Sequence, residues 1–385
     1  MKKILKGLGL LLIIVFALIY ISPYNYILTA VSKIYFNGHT TAFLEDYKEF
    51  DNRLIPASEE PQPWAVHEDY NKKIIPQDLE ILNKETGTVA FLIIKNDSLF
   101  FEKYYDGYGV NSKSNSFSMA KSIVTTLLGK AIMEGHIKSL EQPVKDFFPE
   151  LKGPYASEVT VGDLSSMASG LDWKESYKSP FNITTAAYFT EDLRELVLNQ
   201  DISEAPAKSF IYKSGASQLL GMVIEKATAT NLSEYLHKHF WEPMGFESDA
   251  LWQLDSTHSG MEKAFCCLAS NARDFARFGR LYKNNGSWNG QQLLDSTFVI
   301  KTTKARFKES PQYGYSWWLK EYKNHQMFMM NGLLGQYVVV IPEKNLILVR
   351  LGHTTEEPLQ GNPFVKDLEV YLDSAIEMTQ NVSTY

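Results

Sequence analysis

Strand patterns occur near both ends of this 385-residue chain, and a long section of mainly helical pattern separates them. Thr88–Lys95 and Ser98–Tyr105 are β-rich runs joined by the polar pair Asn96-Asp97, which predicts a hairpin. Strand patterns return in three later runs, Gln326–Met330, Gln336–Ile341 and Leu346–Leu351. The most economical arrangement is an α+β fold, in which an antiparallel five-stranded sheet built from both chain ends is flanked by helices and carries an inserted all-helical domain.

These patterns divide the chain into four parts. A basic end and a membrane-anchor segment occupy residues 1–33, and an extended lead-in interrupted by prolines occupies residues 34–87. The sheet domain combines residues 88–118 with residues 320–385, and the helical domain covers residues 119–319. A cleft between the sheet domain and the helical domain is the natural place for a ligand.

The N-terminus has the pattern of a membrane segment. Three lysines within the first six residues precede Gly7–Ser32, which contains no charged residue. Ser-Pro-Tyr-Asn-Tyr follows the aliphatic core where a signal peptide would have a small-x-small site, which favours an uncleaved anchor over a removed signal peptide. Because positive residues stay cytoplasmic, we expect a single-pass anchor in a bacterial inner membrane, with the chain from about Lys33 onward periplasmic or otherwise extracytoplasmic.

Charge and cysteine content restrict the partners. The chain has 38 Lys+Arg against 45 Asp+Glu, a net charge of −7, so no basic field would collect nucleic acid. The two cysteines, Cys266 and Cys267, are adjacent, which is too close for an ordinary unstrained disulfide and too few ligands for zinc. We therefore expect two small apolar residues in a buried segment. We expect no metal and no cofactor, and the sequence does not define an oligomeric state.

A candidate nucleophile stands at a predicted loop-to-helix junction. Ser118 and Lys121 form an S-x-x-K string, and one helical turn places both side chains on the same face. A serine hydroxyl needs a base, and a lysine serves as one only when burial or neighbouring charge keeps it neutral. The alternative interpretation is an N-capping serine followed by a solvated lysine.

A second motif precedes another predicted helix. Tyr212 and Ser214 form a Tyr-x-Ser string which, together with Ser118 and Lys121, resembles the serine β-lactamase and penicillin-binding-protein group. In that group the tyrosine shuttles protons in the class C β-lactamases and their esterase and amidase relatives. The resemblance implies the same role for Tyr212, including that of base in the second half-reaction, with Ser214 tuning the lysine and tyrosine. Nearby lysines could lower the pKa of the tyrosine towards a useful base.

The third motif of this group, Lys-Thr-Gly on a strand beside the active site, corresponds to Met330-Asn331-Gly332. The resemblance implies that the backbone N–H of Leu333 completes an oxyanion hole with the N–H of Ser118. A backbone donor survives side-chain change, so acyl transfer remains available. The motif's lysine normally holds a β-lactam carboxylate, so Met330 weighs against efficient β-lactamase or peptidase activity.

Further stretches resemble the aminohexanoate-dimer (nylon-oligomer) hydrolase branch of the group: Ser165–Trp173, Ser270–Leu281 and Tyr313–Trp318. In that branch loop residues after the first stretch border the substrate, which makes Tyr177 a candidate. Trp173 is a candidate for the acyl pocket, although core packing is the usual fate of tryptophan.

The resulting hypothesis is a membrane-anchored serine hydrolase that cleaves a small-molecule amide or ester through an acyl-enzyme. Two alternatives stay open. One is a non-catalytic relative that binds cell-wall peptide or a partner protein, since the third motif lacks its lysine. The other is a D-alanine-type peptidase or β-lactamase, since one catalytic frame serves amides, esters, lactams and D-amino-acid peptides in this group.

Overall fold

The computed structural model describes residues 2–177, 179–355 and 364–380. Thirteen strands are present in these residues: β1 Asn52–Ile55, β2 Ala65–Val66, β3 Thr88–Lys95, β4 Ser98–Tyr104, β5 Ser114–Asn115, β6 Ala250–Gln253, β7 Leu268–Ser270, β8 Ser287–Trp288, β9 Gln291–Gln292, β10 Trp318–Tyr322, β11 His325–Gly332, β12 Gln336–Ile341 and β13 Leu346–Gly352. Twelve α-helices accompany them: α1 Lys2–Tyr20, α2 Tyr26–Lys33, α3 Gln77–Glu85, α4 Met119–Met133, α5 Val161–Ser165, α6 Ile183–Phe189, α7 Leu193–Leu198, α8 Ser214–Thr228, α9 Leu232–Leu236, α10 Ala272–Lys283, α11 Ser296–Thr302 and α12 Asp367–Thr379.

The main sheet joins the two ends of the chain, in the order β10-β11-β12-β13-β3-β4-β2. The five predicted strands lie side by side within it, but the predicted number is wrong, because β10 and β2 extend the sheet to seven strands. All neighbours are antiparallel except β2 and β4, which are parallel. The predicted hairpin is confirmed: Asn96 and Asp97 both have positive φ, as the tight turn between β3 and β4 requires.

The sheet is buried on both faces. In β3 all residues except Lys95 are buried, because alternate side chains enter two different cores. Leu92 and Ile94 pack into the large core that contains α4, whereas Phe91 and Ile93 pack with α12 on the opposite face. On the first face α10 packs against β3, β12 and β13, and α4 contacts β11.

The region between the sheet strands is not all-helical as predicted. Strands β6 and β7 lie within it, and they form a four-stranded sheet with β1 and β5, in the order β1-β6-β7-β5. The short hairpin of β8 and β9 lies there as well. These strands have two to four residues each, so their alternation is too short to stand out in the sequence.

Cys266 and Cys267 are buried, as expected, but they are joined to each other as a vicinal disulfide. At this spacing the sequence excludes only an ordinary disulfide, and the bond observed joins directly adjacent residues. Cys267 has a φ of 77°, so the chain turns sharply between the disulfide and β7.

The N-terminal helix α1 is long and apolar enough to cross a membrane. Lys3–Tyr20 has a mean hydropathy of 2.2, and none of this stretch is buried against the rest of the chain. A signal sequence has the same length and composition. The following helix, α2, packs onto the body of the protein through Tyr26 and Ala30, which contact a cluster that includes Ala186 and Phe189 of α6.

Candidate active site

Ser118 is the residue immediately before the first turn of α4. The preceding residue, Phe117, has a φ of 44°, a left-handed conformation that costs a residue other than glycine about 1–3 kcal/mol. The Ser118 side chain makes no capping hydrogen bond to the helix. Its hydroxyl instead accepts a hydrogen bond from Lys121 Nζ over 2.9 Å, so the N-capping interpretation does not describe this serine.

Lys121 is buried rather than solvated. Its ammonium nitrogen lies 2.7 Å from the carbonyl oxygen of Phe265, which fixes its direction together with Ser118. Burial lowers the pKa of Lys121 to about 8, against an opposing effect of the Glu175 carboxylate. At pH 7 about one lysine in ten is therefore neutral, which is the state that can accept the serine proton.

Tyr212 stands beside the same pair. The Ser118 side chain lies near enough to the phenol to oppose the rise of its pKa, and Lys121 Nζ lies 5.1 Å from the centroid of its ring. Burial, reinforced by Tyr177 and Tyr313, raises the pKa of Tyr212 well above its usual value. The expectation of a lowered pKa is wrong, because the desolvation of the phenol outweighs any effect of neighbouring lysines. Tyr212 is thus a protonated group that can donate.

A carboxylate that sequence reasoning missed connects the site residues. Glu175 accepts hydrogen bonds from Ser214 N–H at 2.7 Å, Ser214 Oγ at 2.7 Å, Tyr177 Oη at 2.6 Å and Trp173 Nε1 at 2.9 Å. Its charge also raises the pKa of Lys121. The signal that could have identified Glu175 is its position between Trp173 and Tyr177, two residues that are candidates from the sequence.

Trp173 and Ser214 contact Glu175, a residue that is not among the sequence-based candidates. Trp173 is 3% exposed and lines neither of the cavities at Ser118. A Cβ on Gly215 would lie 2.3 Å from its ring, so α8 approaches the indole closely. Trp173 and Ser214 both donate hydrogen bonds to Glu175 and hold it in place.

The third motif lies where the resemblance implied. Strand β11 ends at Gly332, and a Cβ there would lie 2.3 Å from the carbonyl oxygen of Ser116, so only glycine lets the strand approach this segment so closely. The approach brings Leu333 into the wall of both cavities at Ser118. Met330 is fully buried in the core, so the lysine of the family motif has no counterpart here.

Two cavities meet at Ser118, of about 250 Å³ and about 220 Å³. Three residues line both of them, namely Ser118, Tyr177 and Leu333. We name the larger the N-terminal cavity, because residues 30–42 contribute to its wall, and Ser214 also lines it. We name the smaller the sheet cavity, which is lined by Tyr212, Trp318, Asn331, Gly332 and residues that lead into α12. Within the part of the chain that the structure describes, no three His, Cys, Asp or Glu side chains are grouped to hold a metal ion.

Four features of this site define the serine β-lactamase-like class of folds and sites. They are a serine at the start of a central helix, a buried lysine one turn later, a tyrosine before a second helix, and a strand opposite that ends in glycine. The family model named Beta-lactamase matches residues 72–368, which is well over half of the chain. The chain belongs to this family, and the resemblance drawn from the motifs is confirmed.

Known proteins agree with this assignment. The 6-aminohexanoate-dimer hydrolase of Paenarthrobacter ureafaciens is 25% identical over 297 residues, which are 71% of this chain and 74% of the relative. A proposed 6-aminohexanoate-dimer hydrolase of Bacillus anthracis has a similar structure, with a TM-score of 0.72, 21% identity, and coverage of 86% of this chain and 91% of that chain. A class C β-lactamase superposes with a TM-score of 0.60 at 15% identity, covering 79% of this chain and 94% of the other.

Proposed function

We propose that this protein is a serine hydrolase that cleaves a linear amide or a carboxylic ester through an acyl-enzyme. The observation that carries the proposal is the buried Lys121, whose pKa falls to about 8 and whose nitrogen lies 2.9 Å from Ser118 Oγ. A solvated lysine would stay charged and could not accept the proton. A binding protein has no use for such a pair.

In the acylation step, neutral Lys121 removes the Ser118 proton as Oγ attacks the substrate carbonyl. The N–H groups of Ser118 and Leu333 stabilise the oxyanion. Tyr212, held protonated by its raised pKa, donates its proton to the leaving amine or alcohol and is reprotonated from Lys121. The products of this step are the Ser118 acyl ester and the free leaving group, and Lys121 is again neutral.

Water then hydrolyses the acyl-enzyme. We assign the base of this step to Lys121, because the raised pKa of Tyr212 makes a resting phenolate unfavourable. Tyr212 acts as the proton relay. This assignment differs from the sequence-based expectation, in which Tyr212 is the base of the second half-reaction.

The substrate is proposed to be an amide or ester without a β-lactam carboxylate. Met330 is buried where the family has a lysine, so the strand offers no cation at that position. A sequence relative acts on the 6-aminohexanoate dimer, whose name implies a linear amide, and this supports an amide or ester for the present chain. The β-lactamase and D-alanine-type peptidase alternatives are correspondingly disfavoured.

We further propose that α1 is an uncleaved inner-membrane anchor and that the catalytic body lies outside the cytoplasm. Support comes from the uncharged stretch after the N-terminal lysines and from the mean hydropathy of 2.2 in α1.

The test is mass spectrometry of the detergent-solubilised full chain after exposure to a fluorophosphonate probe and, separately, to penicillin. We expect a fluorophosphonate adduct on Ser118, none from penicillin, and no adduct on Ser118→Ala. Equal labelling of Ser118→Ala would remove Ser118 from the mechanism. An adduct from penicillin would favour the β-lactam-recognising alternative, and no adduct from either reagent would favour the binding protein.

A further inference from the structure

The N-terminal cavity has a wall that the family domain does not supply. Ala30, Ile34, Thr41 and Ala42 line it, and they precede residue 72, where the family match begins. The opposite wall is the catalytic segment that contains Phe117 and Ser118. The segment that follows α1 therefore does more than connect that helix to the body of the protein, because it forms part of the site.

The described lining of this cavity is uncharged. Its lining combines aliphatic and aromatic side chains with Ser and Thr hydroxyls, and no described residue that lines it carries a charge. Its volume of about 250 Å³ equals about eight water molecules at the density of the liquid, room for an aliphatic chain of several carbons. Among these described lining residues, an ammonium or carboxylate group would find no partner of opposite charge.

The cavity wall also lies close to the end of α1 along the chain. Five residues separate α1 from α2, and at about 3.6 Å per residue they can span only about 20 Å. Tyr26 and Ala30 of α2, together with Ile34 just after it, pack against the body, so the wall cannot move away freely. With α1 in a membrane, the cavity therefore stays near the bilayer surface.

Exposed aromatic rings stand on the chain segments that form this cavity or adjoin it. Tyr24, Tyr35, Phe36 and Phe181 are between 45% and 81% exposed, and the rings of Tyr24 and Phe181 contact each other edge to face at 5.6 Å. Tyr35 also lines the cavity. Aromatic side chains gather at the level of the lipid headgroups in membrane proteins, so this cluster fits a surface that rests on the bilayer.

From these four observations we propose that the N-terminal cavity receives the aliphatic acyl chain of a membrane-borne ester or amide, delivered from the lipid leaflet. The inference rests on the proposed function, since the acyl group is transferred to Ser118. The Ser118 Oγ–acyl bond forms as the bond to the leaving alcohol or amine breaks, the leaving group takes a proton from Tyr212, and water later releases the fatty acid.

The experiment uses the full chain reconstituted in phosphatidylcholine vesicles. Two probes with the same leaving group are compared, p-nitrophenyl decanoate dissolved in the bilayer and p-nitrophenyl butyrate in the aqueous phase. Ala30→Trp fills the cavity from α2, and Thr41→Trp fills it from an exposed position that tolerates a large side chain. Ser32→Trp is the matched control, because Ser32 is exposed on the same helix and does not line the cavity.

We expect the wild-type chain to hydrolyse the bilayer probe, and both cavity variants to lower the decanoate-to-butyrate rate ratio by about tenfold or more, the usual effect of closing a hydrophobic pocket. Ser32→Trp should keep the wild-type ratio. Butyrate hydrolysis without decanoate hydrolysis, or an unchanged ratio in both cavity variants, would overturn this inference and leave the proposed function standing. Failure of both probes together with an unlabelled Ser118 would instead overturn the proposed function. Fluorophosphonate labelling of each variant shows whether it folded.

Discussion

The two cavities that meet at Ser118 come from different parts of the chain. The sheet cavity is lined by the end of β11 and by residues such as Phe364 and Leu368, all within the 72–368 family match. The N-terminal cavity takes one wall from residues 30–42, which lie outside it. The catalytic frame and one side of the cleft thus lie within the family match, whereas the other side is built by a segment that precedes it.

This difference leads to a general expectation. Changes in the catalytic frame should lower the hydrolysis of every ester by a similar factor, because all substrates use the same proton transfers. Changes in the wall at residues 30–42 should alter the relative rates of short and long substrates. The following variants test the frame side of the comparison.

The largest effect is expected for Lys121→Met, which removes the base without adding bulk. Turnover of both p-nitrophenyl esters should fall by about 10²- to 10⁴-fold, the range of general-base contributions. Steady-state kinetics with the two esters measures it. The control is Lys130→Met on the same helix, whose lysine pairs with Glu134 away from the site and should leave turnover within about twofold. A loss confined to one ester would contradict a shared base.

The wild-type pH profile should show the titration of Lys121. Since only the neutral lysine accepts the proton, kcat/KM should rise about tenfold per pH unit below the pKa and level off above about 8. The profile should be the same for both esters, whichever cavity holds the acyl group. A profile that is flat between pH 6 and 9 would exclude Lys121 as the base.

A smaller effect is expected for Glu175→Gln. The amide can no longer accept all four hydrogen bonds, so turnover should fall by about tenfold as Ser214 and Tyr177 lose their anchor. The missing charge also no longer raises the pKa of Lys121, so the rising limb of the pH profile should move to lower pH. Glu204→Gln, a surface carboxylate that pairs with Lys213, is the control and should not move the limb. A structural role alone would lower the rate without shifting the profile.

The smallest effect is expected for Gly332→Ala, which tests the contact between β11 and the nucleophile segment. The new methyl group would meet the Ser116 carbonyl, and relieving that overlap should cost about 1–3 kcal/mol and lower Tm by a few degrees. Thermal unfolding followed by circular dichroism measures the shift. Gly109→Ala has open space around it and serves as the control, with little change in Tm expected. Equal shifts in the two variants would show that the contact is not tight.

Three strands could not be predicted from the sequence pattern, for a physical reason. Strand β10 has a mixed burial pattern without alternation, because it lies at the edge of the sheet, and β6 and β7 are too short to show a period. The long buried strands and α4 are predictable from the sequence, because each is a long run of mainly apolar residues.

The same contrast holds at the site. The sequence by itself determined the spacing of Ser118 and Lys121, the Tyr212 motif and the glycine that ends β11, because each depends on neighbours within a turn or a strand. Only the tertiary structure decided the rest: the Phe265 carbonyl that holds Lys121, the Glu175 carboxylate that collects four donors, and the pKa of Tyr212. These properties depend on distances and desolvation between segments far apart in the chain, which no local pattern encodes.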